Sequence, residues 1–455
     1  MSGPRSDAMV FFGATGDLAR RKIYPALLSL SARGQLEMPV ICVARSDWTL
    51  ELLRERIRNE LTQKGPVDEL ALANLLARIS YVAGDYANPD TFSALRTALG
   101  DAQHPLHYLA IPPDMFDAVA RGLGESGCAK GARIVLEKPF GRDLASARAL
   151  NATVHAQFAE NDIFRIDHFL GKEAVQNLIV FRFSNVFMEP VWNARYIDNI
   201  QITMAESFGV NGRGKFYEET GAIRDVIQNH LLLVLSLLAM EAPSSSFNAN
   251  LSDEQVALLR AIRPLTAHDV VKGQARIYHA EKDIPPESRV ETYAAVRLHI
   301  DTPRWQGVPI LIRAGKYLAT TVTEVLVTFK PTSLTDFAAG TPNSLRFRLG
   351  PDVRISIGAR VKHPGETMES DAADFTLMHH ADPDELEPYD RLLGDAMDGD
   401  ALLFAREDCV EAAWAIVDQV LVADSAPCSY EQATWGPREA VQLATDVGGW
   451  RNPAA

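Results

Sequence analysis

The N-terminal third of the chain alternates short apolar runs with amphipathic stretches. The apolar runs that have the length of buried strands lie at residues 8–12, 39–44, 79–82, 107–111 and 132–137. Helical periodicity separates them, and unbroken apolar runs are typical of parallel strands covered on both faces. We therefore predict an α/β domain over residues 1–165, built on a Rossmann-like, doubly wound parallel sheet.

Beyond about residue 165 the pattern changes to strict alternation. Apolar residues occupy every second position at 290–300, 325–329, 345–349 and 353–357. A period of two marks strands with one buried face, and several such strands indicate an antiparallel sheet. We predict an α+β domain over residues 166–455, with a large, mainly antiparallel sheet whose one face is covered by helices such as 408–422.

Composition narrows the possible partners and location. The 455 residues are 47% hydrophobic and 23% charged, which is ordinary for a globular chain of two or three domains. The net charge of −14 argues against nucleic acid or an anionic membrane as a partner. The longest apolar run, 231–240, is too short to span a membrane, and no signal peptide is recognisable. Four scattered cysteines predict neither disulfides nor a metal site, and they suit the cytoplasm.

A glycine-rich turn, GATGDLA, follows the first predicted strand. Gly13 would allow a tight turn, Gly16 would let the backbone approach a pyrophosphate, and Ala19 would let a helix pack closely on the strand. A strand before the turn and a helix after it form the context that a dinucleotide site requires. We predict that this turn binds a dinucleotide, the alternative being a purely structural turn.

The end of the second predicted strand bears on the choice of cofactor. An NAD site carries an acidic residue at this position, whereas this chain has Arg45. A guanidinium group suits the 2′-phosphate of NADP. Asp47 follows two residues later, so NAD stays possible as a second cofactor. We predict NADP, the alternative being that Arg45 is an ordinary surface cation.

The segment RIDHFLGKE, which begins at Arg165, concentrates polar chemistry among apolar residues. Asp167, His168 and Lys172 lie within six positions. Buried charges must be solvated or paired, and this set suits an anionic, hydroxyl-rich small molecule. A solvated loop with an ion pair is the alternative.

A second polar cluster lies in GAIRDVIQNH, directly before the apolar run LLLVLSLLAM. A helix this apolar is buried almost all round, so Asp225, Asn229 and His230 should face a cleft or be satisfied internally. Five residues of α-helix turn about 140°, which does not place Asp225 and His230 on one face. For a lone histidine here, a core position is the alternative.

Glu206 continues the same strand face as Ile200, Ile202 and Met204. We therefore expect it at the inner end of a strand, where sugar hydroxyls would be suitable partners for its carboxylate. A glutamate turned outward to water is the alternative.

Eight segments, in order along nearly the whole chain, resemble the glucose-6-phosphate dehydrogenases. They are GATGDLARRKIYP, YLAIPP, EKPFGRD, RIDHFLGKE, GRG, GAIRDVIQNH, GVPILIRAGK and LFAREDCVEAAW. The resemblance implies NADP-dependent oxidation of glucose 6-phosphate to 6-phosphogluconolactone, at the entry to the oxidative pentose phosphate or Entner-Doudoroff routes. It also implies a homodimer or homotetramer.

The resemblance assigns roles to individual residues. His230 resembles the general base that takes the proton of the anomeric hydroxyl, and Asp167 resembles the carboxylate that orients it. His168 and Lys172 resemble a phosphate-binding pair. Pro139 resembles a proline linked to positioning the cofactor. The substrate-binding residues are then Lys138, His168, Lys172, Glu206, Asp225 and Lys316. Together with the glycine turn and Arg45, the cofactor-binding residues are Gly13, Thr15, Gly16, Asp17, Leu18, Lys22, Arg45, Tyr108 and Lys138.

Two positions depart from the family pattern. Phe169 stands where the family usually has a tyrosine that helps hold the phosphate, and Thr321 stands where it tends to have a basic residue. Hydrogen bonds to charged groups contribute about 1.5–3 kcal/mol each, so phosphate binding should be weaker. One alternative is a related dehydrogenase acting on a different or non-phosphorylated aldose. Another is a non-catalytic homologue that binds NADP or sugar.

Overall fold

The computed structural model describes residues 3–63, 65–244, 247–334, 340–378, 385–422 and 426–454. Contacts between Cα atoms divide the chain into two compact units. One unit comprises Met1–Lys172 and Asp384–Glu411, and the other comprises Glu173–Pro383 and Ala412–Ala455. The return of the chain to the first unit near its end has no counterpart in the sequence-based division. The boundary after residue 165 stays a prediction.

The first unit contains a six-stranded, wholly parallel sheet in the order β3-β2-β1-β4-β5-β6. Its strands are β1 (Ala8–Phe12), β2 (Val40–Ala44), β3 (Ile79–Ala83), β4 (Pro105–Leu109), β5 (Arg133–Glu137) and β6 (Ile163–Ile166). Its α-helices are Tyr24–Ala32, Leu50–Thr62, Glu69–Arg78, Pro89–Leu99, Phe116–Glu125, Leu144–His155 and Pro388–Asp398. This strand order is that of the Rossmann fold, which confirms the predicted doubly wound sheet.

The predicted strands of the first unit agree with β1 to β5 to within two residues at either end. Strands β1, β2, β4 and β5 are buried along their whole length, which explains their unbroken apolar runs. Strand β6 has no counterpart among the predictions, because its four residues include Arg165. That arginine is 1% exposed and pairs with Glu160 at 2.8 Å.

The second unit contains a nine-stranded sheet in the order β14-β13-β12-β11-β7-β10-β9-β8-β15. Its strands are β7 (Ile197–Ala205), β8 (Val270–Ala275), β9 (Tyr293–Leu298), β10 (Ile310–Gly315), β11 (Val322–Phe329), β12 (Ser344–Gly350), β13 (Arg354–Lys362), β14 (Ser370–Met378) and β15 (Cys428–Tyr430). The pairs β7–β10 and β8–β15 are parallel and the other pairs are antiparallel. The predicted large, mainly antiparallel sheet is confirmed.

The prediction of a single buried face is wrong for the centre of this sheet. Strands β9 and β10 are buried at almost every position, whereas the edge strand β14 is largely exposed. The polar side chains of β10 can be buried because other side chains accept their hydrogen bonds. Arg313, for example, donates to Thr203 and Asn452. Its guanidinium also lies 4.8 Å from the ring centroids of both Trp435 and Trp450.

The α-helices that begin in the second unit are Glu173–Ser184, Gly214–Ala222, Leu232–Ala239 and Phe247–Ala261. The helix Glu407–Leu421 runs across the sequence boundary between the units. The helical segment Gly214–Ala239 is long and apolar enough, by length and composition alone, to cross a membrane. However, 78% of its most apolar window is buried inside the fold, in agreement with the predicted buried helix.

Candidate active site

The glycine turn after β1 has the geometry that a dinucleotide site needs. Gly13 has a φ of 80°, and a Cβ at this position would lie 2.1 Å from the carbonyl oxygen of Ala110. Only glycine therefore fits here. The amide of Gly16 donates to the carbonyl of Gly13 at 2.9 Å, which closes the turn. The chain then enters a π-helical turn, Ala19–Ile23, before the first α-helix.

Side chains that follow β2 and β3 lie beside this turn. The hydroxyl of Ser46 donates to Thr15 Oγ1 at 3.2 Å, and the Gly13 amide donates to the hydroxyl of Tyr86 at 3.0 Å. Arg45 is exposed beside them, and it forms no ion pair within the described part of the chain. Ser46 and Tyr86 are site residues that sequence reasoning missed, because neither belongs to a recognisable motif.

Three further predicted cofactor residues, Asp17, Leu18 and Lys22, follow the same turn along the chain. Asp17 is exposed and pairs with Arg20 at 3.0 Å, while Leu18 is half-buried. Lys22 is exposed on the π-helical turn. A turn that admits only glycine, next to an exposed guanidinium, fits a dinucleotide that carries a 2′-phosphate.

The ammonium of Lys172 lies within electrostatic range of one carboxylate and two further lysines. Burial lowers the pKa of Lys172 to about 8, Asp167 opposes this shift, and the positive charges of Lys22 and Lys138 lower the pKa further. Such a local excess of positive charge, on a chain with a net charge of −14, indicates a site for an anion. The peptide bond between Lys138 and Pro139 is cis.

The RIDHFLGKE segment begins in β6, forms a turn at residues 168–171 and ends at the start of the helix Glu173–Ser184. Asp167 is buried and accepts a hydrogen bond from the Phe169 amide at 2.9 Å through Oδ1. The ammonium of Lys172 lies 3.6 Å from the centroid of the buried Phe169 ring. The residue that replaces the family tyrosine is therefore the aromatic surface on which Lys172 rests.

The buried carboxyl group of Glu137, near this turn, is hydrogen-bonded to tyrosines from two other parts of the chain. The hydroxyl of Tyr108 donates to Glu137, and the hydroxyl of Tyr389 is hydrogen-bonded to the same carboxyl. The ring of Tyr389 lies nearly parallel to that of His168, at an angle of 13° and a centroid distance of 6.4 Å. Because Tyr108 is fully buried, its role beside the cofactor stays a prediction. Sequence reasoning missed Glu137 and Tyr389.

In the second unit, the predicted residues Glu206, Asp225 and Lys316 line one small cavity. Its other lining residues are Met204, Tyr217, Ala222, Val226 and Gly315. Ala205 pairs with Gly315 in the parallel strands β7 and β10, so Glu206 and Lys316 follow adjacent carboxyl ends. The Lys316 ammonium donates to the Glu206 carboxylate. The structure thus places Glu206 just beyond the end of β7, beside the cavity, and its role toward sugar hydroxyls stays a prediction.

Tyr217 lines this cavity, and Thr321 lies next to the residue that follows Glu206. Burial raises the pKa of Tyr217 well above its ordinary value, and the Asp225 carboxylate adds to that shift, so Tyr217 stays protonated. Thr321 Oγ1 accepts from the amide of Ser207 at 3.0 Å and shares a hydrogen bond with its hydroxyl at 2.9 Å. Thr321 therefore holds the backbone just after Glu206. Tyr217 is a further residue that the sequence did not indicate.

His230 is almost completely buried, and it lies in a π-helix that spans Ile223–Leu231. The hydrogen bonds of a π-helix close from residue i to residue i+5, so each turn holds more residues than an α-helical turn. The angle about the helix axis between residues five apart, such as Asp225 and His230, is therefore smaller than the roughly 140° of an α-helix. The α-helical spacing assumed from the sequence is wrong for this segment.

The start of the π-helix is set by Gly221 and Glu291. Gly221 has a φ of 61°, and a Cβ there would lie 2.5 Å from the Glu291 carboxylate. The same carboxylate accepts a hydrogen bond from the Ile223 amide at 3.2 Å. A buried acid and a glycine thus fix the direction in which the helix carrying Asp225 and His230 begins.

Comparisons with known proteins agree along nearly the full chain. The family model for the glucose-6-phosphate dehydrogenase NAD binding domain matches residues 10–177, and the model for the C-terminal domain of the same enzyme matches residues 179–451. Glucose-6-phosphate 1-dehydrogenase 1 of Mycobacterium tuberculosis is 38% identical over 99% of this chain and 97% of its own length. Glucose-6-phosphate 1-dehydrogenase of Aggregatibacter actinomycetemcomitans is 40% identical over 98% and 97%.

Two solved structures show the same fold. The crystal structure of glucose-6-phosphate 1-dehydrogenase from Mycobacterium avium superposes with a TM-score of 0.93, at 39% identity, and covers 100% of both chains. A glucose-6-phosphate dehydrogenase in complex with its substrate glucose 6-phosphate superposes with a TM-score of 0.90, at 32% identity, over 99% of this chain and 100% of that one.

Proposed function

The chain belongs to the glucose-6-phosphate dehydrogenase family, and we propose on that basis that it oxidises glucose 6-phosphate to 6-phosphogluconolactone with NADP. The match of both family models carries the proposal, and the placement of Glu206, Asp225 and Lys316 around one small recess supports it. A carboxylate pair and an ammonium group provide acceptors and donors for several hydroxyls of one sugar.

The chemistry needs one proton acceptor and one hydride acceptor at C1 of the sugar. His230 takes the proton from the anomeric hydroxyl, and Asp167 keeps its predicted role as the carboxylate that orients the imidazole and stabilises its charged form. NADP, when bound, supplies the hydride acceptor. The glycine turn at Gly13 and the guanidinium of Arg45 are the groups that would hold it.

The phosphate of the substrate fits the lysine-rich surroundings of the RIDHFLGKE turn. Lys172 and His168 are the proposed phosphate ligands, and Lys138 adds positive charge beside them. Glu206 and Asp225 accept from sugar hydroxyls, while Lys316 donates to the sugar or to the carboxylate of Glu206.

Arg45 provides a test of the cofactor. Arg45→Ala is expected to raise the KM for NADP about tenfold and to leave the KM for NAD nearly unchanged, because only NADP carries the phosphate that the guanidinium would bind. Initial rates with each cofactor at saturating sugar phosphate measure both constants. Equal changes in the two constants would show that Arg45 does not contact the 2′-phosphate.

Lys172 predicts the pH dependence of substrate binding. Burial lowers its pKa to about 8, so the ammonium form exists below that pH and is lost as the pH rises. The KM for glucose 6-phosphate is therefore expected to climb above about pH 8, approaching tenfold per pH unit. Lys172→Arg, whose side chain stays charged, should flatten this rise. A rise that persists in the arginine variant would assign the effect to another group.

We also propose that the chain forms a homodimer or homotetramer and acts in the cytoplasm. Apolar side chains are exposed on the outer strands β13 and β14, where Val361, Phe375, Leu377 and Met378 are each at least 42% exposed. Exposed apolar groups concentrated on one edge of a sheet are typical of an interface between subunits.

A second candidate substrate is supported by the two departures from the family pattern. Phe169 offers no hydroxyl, and Thr321 offers no positive charge. A homologous dehydrogenase for a different or non-phosphorylated aldose would need neither group.

The test is a rate assay that follows the absorbance of the reduced nicotinamide. Glucose 6-phosphate, glucose and a panel of other aldoses and their phosphates are compared, each with NADP and with NAD. The proposal expects the highest kcat/KM with glucose 6-phosphate and NADP. A higher value with another aldose would favour the second candidate, and no reduction with any sugar would contradict an oxidoreductase function.

A further inference from the structure

We propose that Glu137 is a positioning residue for substrate binding, whose carboxylate holds Tyr389 so that the Tyr389 ring fixes the orientation of His168. The inference rests on the proposed function, in which His168 binds the phosphate of the substrate. It adds a role for a carboxyl group that takes no part in the proton and hydride transfers described above.

The hydrogen bonds of Glu137 support this role. The carboxyl lies at the carboxyl end of β5, is buried, and accepts from the hydroxyls of Tyr108 and Tyr389. Burial raises the pKa values of both tyrosines well above their ordinary value, so both hydroxyls keep their protons throughout the neutral range. Two donors directed at one buried acid favour its ionised form.

The backbone places this carboxyl beside the phosphate-binding turn. Glu137 pairs with Ile166 in the register of β5 and β6, and the chain leaves β6 directly into Asp167 and His168. The same turn packs closely on the helix that carries Tyr389. A Cβ on Gly171 would lie 2.9 Å from the carbonyl oxygen of Pro388.

The Tyr389 ring links the two groups. It lies at 13° to the imidazole of His168, with the centroids 6.4 Å apart, while its hydroxyl is hydrogen-bonded to Glu137. The hydrogen bond to Glu137 keeps the Tyr389 side chain from swinging away from this position. The ring is therefore held beside the imidazole, where it limits the orientations that His168 can adopt.

The ionisation of Glu137 makes the proposed role measurable. Burial raises the pKa of Glu137 to about 7, and the hydrogen bonds of Tyr108 and Tyr389, together with the charge of Lys138, oppose that shift. Asp167 is the other charged group that acts on Tyr389. The carboxylate forms as the pH rises through about 7, so the stronger, charge-assisted bonds to the tyrosines exist above that pH.

The experiment measures KM for glucose 6-phosphate and kcat between about pH 6 and pH 8 in the parent, Glu137→Gln and Tyr389→Phe. In the parent, KM for glucose 6-phosphate is expected to fall as the pH rises through about 7, because Glu137 ionises there. Both variants are expected to raise KM at pH 8 about tenfold and to lack the part of this fall that Glu137 causes, with kcat nearly unchanged. Titration of the substrate phosphate would appear in the parent and in both variants alike.

Asp395→Asn is the matched control. Asp395 lies on the same helix as Tyr389, burial raises its pKa to about 6, and it forms an ion pair with Arg391 at 3.6 Å, with Asp398 and Asp400 also nearby. This variant removes a titrating carboxyl without touching Tyr389, so it should keep the KM and the pH profile of the parent. The KM for free glucose should be the same in all four proteins, because glucose has no phosphate for His168 to bind.

The outcomes separate this inference from the proposed function. A parent that does not oxidise glucose 6-phosphate contradicts the proposed function and this inference with it. A parent that does so, with both variants matching it in KM and pH profile, overturns the role of Glu137 alone. If Glu137→Gln fails to fold by circular dichroism, Tyr389→Phe decides, because it keeps the ring and loses only the hydroxyl that reaches Glu137.

Discussion

His230→Asn is expected to lower kcat for glucose 6-phosphate oxidation by about 10²–10⁴-fold, the usual contribution of a general base. Asparagine can still form hydrogen bonds but cannot take up a proton at neutral pH. The KM for glucose 6-phosphate should change little, because the proposed binding groups lie on other residues. Steady-state rates and CD spectra of the purified variant test this expectation.

His268→Asn is the matched control for that experiment. His268 is exposed in the same structural unit and belongs to neither proposed site. This variant should retain the parent kcat, which shows that loss of an imidazole as such has no effect. A His230→Asn enzyme with nearly normal kcat would remove His230 from the proton transfer.

Restoring the two family residues, by Phe169→Tyr with Thr321→Arg, is expected to lower the KM for glucose 6-phosphate. The expected gain in binding free energy is roughly 1–3 kcal/mol if both new groups reach the phosphate. The new tyrosine keeps the aromatic surface on which Lys172 rests. The new arginine gives up the hydrogen bonds of Thr321 to Ser207, so part of its gain is offset.

The two single variants and free glucose provide the controls for the double variant. Phe169→Tyr alone should lower the KM for glucose 6-phosphate and keep the hydrogen bonds between Thr321 and Ser207. Thr321→Arg alone shows how much the loss of those hydrogen bonds raises the KM. The KM for glucose should stay constant in all three variants, because glucose lacks a phosphate. No improvement with glucose 6-phosphate, or a parent that already binds it tightly, would mean that other residues complete the site.

The parts of the fold that could be predicted are those in which burial leaves a simple pattern. Strands β1, β2, β4 and β5 are covered on both faces and appear as apolar runs, while the Gly13 turn is marked by a position that admits only glycine. The alternation at residues 290–300 identified β9 correctly, whereas no strand was predicted at the position of β10. The burial of Arg313 in β10 depends on partners from distant segments, which no local pattern shows.

The parts that could not be predicted depend on contacts between segments far apart in sequence. Tyr389 reaches Glu137 only because residues 384–411 return to the first unit, and nothing in its neighbourhood marks it. The π-helix around His230 begins at a carboxylate, Glu291, from another part of the chain. The candidate residues themselves came from motifs, and their roles await the experiments above.

The central claim is that this protein transfers a hydride from C1 of glucose 6-phosphate to NADP. The most direct measurement uses glucose 6-phosphate labelled with deuterium at C1 and mass spectrometry of the nicotinamide product. We expect the deuterium to appear in the reduced cofactor in proportion to the lactone formed. Reduced cofactor without the label, or no reduced cofactor at all, would contradict it.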